Sequence, residues 1–164
     1  MHLLTLLVNA LLFAATPPGS ILPPPQAWAA RVIASDDAPC WKRRCAMRLL
    51  EGDCYTAPVS LTRYSPLDSL DPGTGGGWCA AWGGRLTSGE VAADWHCWPP
   101  GTVFYAPGFD RSWVVTDSGP AVRGPRHLDV MCGCREEWDD FAETDCRKVW
   151  VLGRITRQEL RGDD

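Results

Sequence analysis

The sequence predicts an all-β fold in a single domain. From residue 59 onward, short runs of β-branched and aromatic residues are separated by Gly, Pro and Asp, which is typical of many short strands. The chain has 164 residues, of which 45% are hydrophobic and 22% charged, so one packed core is feasible and a multidomain machine is excluded. An even set of 8 cysteines further predicts that disulfides staple the domain.

Six segments carry the strand pattern. They are Val59–Tyr64, Glu90–Asp94, Thr102–Ala106, Ser112–Asp117, His127–Met131 and Val149–Ile155. The first two are separated by the Gly-rich segment Asp71–Gly84, which is too rich in Gly for a helix or a strand and is predicted to be a long functional loop. This loop carries Trp78 and Trp82, whose flat faces could stack on sugar rings or pack on the domain.

One short helix is predicted within the domain, over Glu136–Arg147. Acidic residues crowd its first turns, where they interact favourably with the helix dipole, and apolar residues recur at helical spacing. A second, weakly helical run, Trp41–Leu50, lies in a Cys-containing N-terminal extension over residues 30–58. Residues 157–164 are expected to form a polar tail.

The first residues resemble a targeting segment. Leu3–Ala15 carries no charge and is too short to span a bilayer, but it has the length of a signal-peptide hydrophobic region. A Pro-rich stretch ending at Pro25 should break any helix, and Ala27-Trp28-Ala29 offers a cleavage pattern. We therefore expect residues 1–29 to be a signal peptide, or alternatively an uncleaved anchor, and the protein to be secreted or located in the periplasm or cell envelope.

The charge balance argues against a nucleic-acid partner. The chain has 16 Lys and Arg against 20 Asp and Glu, which provides no broad basic face for phosphates. No sequence pattern calls for a cofactor, and no membrane contact beyond the targeting segment is expected. We expect a monomer.

The cysteines leave two interpretations. In an exported chain, an even number of cysteines favours disulfides, although 8 cysteines allow 105 pairings and the sequence selects none. The alternative is a zinc site, but no C-x2-C pair exists, because Cys132 and Cys134 are separated by one residue and Cys40 and Cys45 by four. We therefore predict no metal.

Three aspartates end or interrupt the predicted strands: Asp94, Asp117 and Asp129. A single aspartate in such a place is usually a turn residue that accepts backbone N–H groups. Three of them in one strand framework instead suggest a shared site.

An ordered set of motifs resembles the three-aspartate (3D) domain of bacterial peptidoglycan lytic transglycosylases and related secreted proteins. The matching segments are Thr62-Arg63-Tyr64-Ser65-Pro66, Leu86–Asp94, Pro100–Gly108, Asp117-Ser118-Gly119 with Arg123-Gly124, and Leu128-Asp129-Val130. The resemblance spans residues 59–153 and implies a six-stranded double-psi β-barrel, over 59–156, with the aspartates in a groove. The chain departs from the family at Pro120, where a glycine is usual, and at Arg123, where a lysine is usual.

The resemblance also implies an activity. Enzymes of this family cleave the MurNAc–GlcNAc bond of peptidoglycan glycan strands without water and leave a 1,6-anhydroMurNAc end. Asp129 corresponds to their single general acid/base, Asp117 would raise its pKa by like-charge proximity, and Asp94 would complete the cluster. The expected substrate-binding residues are Tyr64, Ser118, Gly119, Arg123, Trp78 and Trp82.

Two other classes of function fit parts of the sequence. A non-catalytic module that binds wall polysaccharide could use the same barrel, because fold does not imply function. A disulfide-stapled secreted inhibitor would explain the cysteines but would leave the order of the aspartates to chance.

Overall fold

The computed structural model describes residues 24–67, 78–107, 109–141 and 144–162. Six strands in these ranges form a closed barrel, which confirms the predicted six-stranded barrel. Their bounds are β1 Tyr55–Tyr64, β2 Glu90–Ala93, β3 Thr102–Ala106, β4 Arg111–Asp117, β5 His127–Met131 and β6 Thr144–Arg154. The strand order around the barrel is β1-β5-β2-β4-β3-β6.

Two strand pairs in the barrel are parallel, and these pairs position the site. β1 pairs with β5 and β2 pairs with β4 in parallel, whereas every other neighbouring pair is antiparallel. Along β1 the buried residues Ala57, Val59 and Leu61 alternate with more exposed ones, as expected of a strand with one face toward a core. The barrel of the 3D resemblance is thus present, and its double-psi type stays a prediction.

The helix predicted over Glu136–Arg147 is wrong in its second half. The helix found at this position is Arg135–Asp140, and β6 already begins at Thr144. In β6, Arg147 pairs with Val59 and Lys148 pairs with Pro58, so ladder bonds to a strand far away in sequence outweigh the local helical pattern.

The described residues contain four helices, of which one lies within the predicted domain, residues 59–156, and one covers the predicted helical run Trp41–Leu50. They are α1 Pro24–Ala34, α2 Cys40–Glu51, α3 Arg135–Asp140 and α4 Arg157–Arg161. The prediction that the prolines break any helix is wrong, because Pro24 and Pro25 occupy the first turn of α1, where proline is tolerated. The expected polar tail begins as α4, which Thr156 and Glu159 cap reciprocally.

Helix α1 packs on the outside of the barrel. Trp28 and Ala29 are buried, and the Trp28 ring lies 4.6 Å, centroid to centroid, from the Tyr105 ring of β3. The cleavage pattern Ala27-Trp28-Ala29 therefore lies inside α1, and the boundary of the targeting segment stays a prediction.

The core has two main parts. The barrel interior contains Val59, Leu61, Val91, Phe104, Val115, Leu128 and Val149. The second part, which we call the helical cover, contains Trp28, Val32, Cys45, Leu49, Val103, Tyr105, Leu152 and Ile155, and it joins α1 and α2 to the outer face of β3 and β6. None of the helices in the described ranges has the length and apolar character needed to cross a membrane.

The predicted disulfides are absent from the part of the chain that the structure describes. Seven cysteines are free thiols there, and Cys146 lies outside the described side chains. The two buried thiols belong to different core clusters, Cys45 to the helical cover and Cys132 to the barrel interior. Burial raises the pKa of each to about 11, so both behave as small apolar residues rather than as reactive thiolates.

Candidate active site

A cavity of about 460 Å³ opens at one edge of the barrel and contains two of the three aspartates. The residues that line it are Tyr64, Ser65, Pro66, Cys79, Leu86, Ala92, Asp117, Ser118, Gly119, Pro120, Ala121, Val122 and Asp129. We call this region the cavity edge. Residues 68–77, which include the first half of the predicted Gly-rich loop, lie outside the described residues.

Strand register places Asp117 and Asp129 on either side of Ala92. Ala92 of β2 is the partner of Asp129 of β5 on one side and of Asp117 of β4 on the other. Neighbouring strands lie about 4.8 Å apart, so the two aspartates are separated by about two strand spacings. Because the side chain between them is a single methyl group, the floor of the cavity stays open.

A β-bulge in β4 orients Asp117. Val91 is opposite Val115, but Ala92 is opposite Asp117, so Thr116 is an additional residue on β4. Without the bulge, Asp117 would point to the other face of the sheet, because side chains alternate along a strand. The register irregularity is therefore what brings the second carboxylate into the cavity.

A buried glutamate that the sequence reasoning missed supports this bulge. Glu90 is only 7% exposed, and its carboxylate accepts hydrogen bonds from Thr116 and, at 2.9 Å, from Thr87. The available signal was an acidic residue placed directly before the apolar run Val91–Ala93. Its partners make Glu90 a support for the site rather than a reacting group.

Asp117 is held by donors on both carboxylate oxygens. The Tyr64 hydroxyl donates to Oδ2 at 3.0 Å, and the Ala81 backbone N–H donates to Oδ1 at 2.9 Å. Burial, followed by the charge of Asp117, raises the pKa of Tyr64 far above its ordinary value, so the phenol keeps its proton and remains a donor.

A side chain of the neighbouring strand β1 positions Asp129 through a hydrogen bond. Thr62 is its register partner in β1, and the Thr62 hydroxyl donates to Asp129 Oδ1 at 2.7 Å. The same hydroxyl oxygen lies 2.8 Å from Nε2 of His127. Thr62 stood in the recognised motif, and its position two residues before Tyr64 puts both on one face of β1.

Asp94 has a structural role that differs from the roles of Asp117 and Asp129. Its Oδ1 accepts from the His96 N–H at 3.0 Å, and its Oδ2 accepts from the Gly124 N–H at 2.9 Å. These two backbone hydrogen bonds lower the pKa of Asp94. Asp94 does not line the cavity, so it ties the turn after β2 to the loop at Gly124, as a turn aspartate does.

The remaining predicted site residues divide into two groups. Ser118 and Gly119 line the cavity with Tyr64, whereas Arg123 is exposed and its charge acts on Asp94. Neither tryptophan lines the cavity. The Arg85 guanidinium lies 4.9 Å from the centre of the Trp78 ring, and Trp82 packs close to Gly101.

No curated protein matches the sequence. This chain is similar to the crystal structure of MltA from E. coli, with 26% sequence identity and a TM-score of 0.39. The similarity covers 47% of this chain and 28% of that chain. The crystal structure of E. coli MltA with bound chitohexaose is 25% identical, with a TM-score of 0.38, over 48% of this chain and 28% of that chain.

The family model of the 3D domain matches residues 89–153. This segment runs from the start of β2 to the end of β6 and carries Asp94, Asp117 and Asp129. The chain spans about 28% of the length of the solved structures that it resembles, so the match concerns this domain and not a whole enzyme. The predicted resemblance to the 3D domain is thus confirmed over residues 89–153.

Proposed function

We propose that this protein is an exported lytic transglycosylase that cleaves the MurNAc–GlcNAc bond of peptidoglycan and leaves a 1,6-anhydroMurNAc end. The observation that carries the proposal is the placement of Asp117 and Asp129 on either side of Ala92 in one cavity of a 3D domain. We also propose that the barrel has the double-psi connectivity of that family.

Asp129 is the proposed acid and base. Protonated Asp129 gives its proton to the glycosidic oxygen as the bond to the anomeric carbon breaks. The resulting carboxylate then takes the proton of the 6-hydroxyl of the same muramic acid ring, whose oxygen bonds to the anomeric carbon. One carboxyl group thus ends the cycle as it began, and no water is consumed. Because the attack is intramolecular, positioning supplies much of the rate.

Asp117 is assigned a supporting role because both of its oxygens already accept hydrogen bonds from Tyr64 and Ala81. A carboxylate held in this way is a poor nucleophile, but its negative charge across the floor of the cavity favours the protonated, acidic form of Asp129. This arrangement supports a mechanism with one acid/base and does not favour a pair of equivalent catalytic carboxylates.

Three of the predicted substrate-binding residues are kept in the proposal: Tyr64, Ser118 and Gly119. They line the same cavity as the two aspartates, so a sugar placed against Asp129 would contact them. Pro120 lines the cavity as well, and its fixed φ and missing N–H alter the loop that a glycine would otherwise form.

The deciding experiment is mass spectrometry of the soluble products released from purified peptidoglycan. The protein, its Asp129→Asn variant and an Asp140→Asn control should be compared, because Asp140 is an exposed aspartate on α3 that undergoes the same chemical change. We expect anhydro-muropeptides from the protein and the control and none from Asp129→Asn.

Two outcomes would contradict the proposal. Products with ordinary reducing ends would indicate a hydrolase with a second reacting carboxylate. Retention on the insoluble polymer without any product would instead favour the polysaccharide-binding module.

A further inference from the structure

We infer that His127 is a positioning residue that directs the Thr62 hydroxyl proton toward Asp129, so that a chain of hydrogen bonds from His127 through Thr62 stabilises the ionised form of Asp129. The inference rests on the proposed role of Asp129, but its hydrogen bonds can be tested without any substrate.

Strand geometry brings the three side chains together. His127 and Asp129 are two residues apart on β5, so they share one face of the strand. Thr62 lies opposite Asp129 on β1, and its oxygen is 2.7 Å from Asp129 Oδ1 and 2.8 Å from His127 Nε2. The hydroxyl therefore bridges a histidine and a carboxylate.

The single proton of the Thr62 hydroxyl sets the donor-to-acceptor direction of this chain of hydrogen bonds. A threonine hydroxyl has one proton to donate and lone pairs with which to accept. When Thr62 donates its proton to Asp129, its oxygen can contact His127 Nε2 favourably only by accepting, so Nε2 must carry a hydrogen. Both the neutral Nε2–H tautomer and the imidazolium satisfy this condition, whereas the Nδ1–H tautomer would draw the hydroxyl proton away from Asp129.

The other charges around Asp129 make such a donor chain valuable. In addition to burial, Asp117 on β4, Asp129 itself and Glu90 on β2 all raise the pKa of Tyr64 on β1, so three carboxylates share these surroundings. Asp129 also acts on Cys132 after β5, on which the Arg63 cation acts in the opposite direction. The negative groups oppose ionisation of Asp129, which nevertheless becomes negative as it gives its proton to the leaving oxygen. A donor chain is stabilising at that step, because hydrogen bonds to charged groups are the stronger ones and chained bonds polarise one another.

The first test is NMR of the free, full-length protein with ¹⁵N-labelled histidine. We expect neutral His127 to be the Nε2–H tautomer in the protein and in Thr62→Ser, which keeps the hydroxyl. In Thr62→Val the preference should be lost. His96, whose side chain is exposed, serves as the internal reference and should be the same in all samples. A neutral His127 with its hydrogen on Nδ1 in the unmodified protein would overturn the inference.

The second test follows the Asp129 carboxyl carbon signal as a function of pH. Removal of the donor should favour the protonated acid, so we expect the midpoint to move to higher pH by about one unit in Thr62→Val. A smaller move in the same direction is expected in His127→Leu. His127→Gln, whose side-chain amide can still donate, should restore most of the original midpoint. An unchanged midpoint in both Thr62→Val and His127→Leu would refute the chain.

Activity on peptidoglycan supplies the third test. In His127→Leu, kcat should fall by about three- to ten-fold with KM unchanged, and the alkaline limb of the pH profile should move with the Asp129 midpoint. His96→Leu is the matched control and should behave as the unmodified protein. A loss of kcat without a move of the alkaline limb would mean a merely structural histidine and would count against the inference. If the unmodified protein releases no anhydro product while the NMR results hold, the proposed function fails and the hydrogen-bond chain stands.

Discussion

The cavity edge and the helical cover lie on the same barrel and are built in opposite ways. At the cavity edge, polar side chains meet in pairs whose partners are set by strand register, as in Thr62 with Asp129. In the helical cover, the Trp28 ring contacts the Tyr105 ring, and apolar residues of α1 and α2 fill the space over β3 and β6. The cavity edge therefore depends on the directions of its hydrogen bonds, and the helical cover depends on the apolar surface area that it buries.

This difference implies that the two regions respond to different changes. Loss of one hydrogen-bonding group at the cavity edge should alter chemistry with little loss of stability, because the barrel interior beneath it remains packed. Loss of buried area in the helical cover should lower the free energy of unfolding while the site geometry in the remaining folded molecules is preserved.

The largest effect should come from Asp129→Asn. We expect anhydro-muropeptide release to fall by more than about a thousand-fold, because no other group in the cavity is assigned to donate the proton. The free energy of unfolding, measured with urea, should change by less than about 1 kcal/mol. A decrease of several kcal/mol in the free energy of unfolding would show that the cavity edge contributes to stability. The cavity edge and the helical cover would then not differ in this respect.

Trp28→Ala is the complementary change in the helical cover. Because Trp28 is buried in the full-length chain and its ring contacts Tyr105, the free energy of unfolding of that chain should fall by about 3 kcal/mol. Product release per folded molecule should stay the same. The matched control is Trp41→Ala on α2, where the ring is only partly buried, and its effect should be smaller. Equal losses in the two variants would contradict the assignment of Trp28 as the anchor of α1.

Tyr64→Phe sharpens the comparison within the cavity edge. It removes the hydroxyl that donates to Asp117 and leaves the ring in place. We expect product release to fall by about ten-fold, because Asp117 loses one of the two donors that position it. The urea midpoint should hardly move, and an unchanged rate would exclude a role for this hydrogen bond.

Asp94→Asn should have the smallest effect. The pKa of Asp94 is lowered in the folded protein, so its carboxylate contributes stability above the pKa of the unfolded chain, about 4, and loses it as the pH falls through the lower folded value. The variant should therefore be less stable than the protein at pH 7, and the difference should vanish in strong acid. Urea unfolding at several pH values measures this. A difference that persists unchanged in acid would mean that the carboxylate charge is not involved.

Local pattern and tertiary context can be separated residue by residue. The bounds of β3 and β5 follow directly from short apolar runs between turn residues. The second half of the predicted helix Glu136–Arg147 failed because pairing with β1 is not visible in a local window. The prediction that the prolines before Trp28 break any helix was wrong for the same reason. Packing of Trp28 against Tyr105 stabilises α1, and this contact is not visible in the sequence of the segment alone.

The sequence by itself determined the six strands and the resemblance to the 3D domain, because short β-branched and aromatic runs and ordered motifs are properties of the chain alone. Only the tertiary structure decided that Asp117 and Asp129 share a cavity while Asp94 closes a turn. The physical reason is that an aspartate at the end of a strand looks the same in sequence whether its carboxylate accepts backbone N–H groups or faces a cavity. The bulge at Thr116 and the register of β1 with β5 determine which aspartates face the cavity, and both are set by long-range strand pairing.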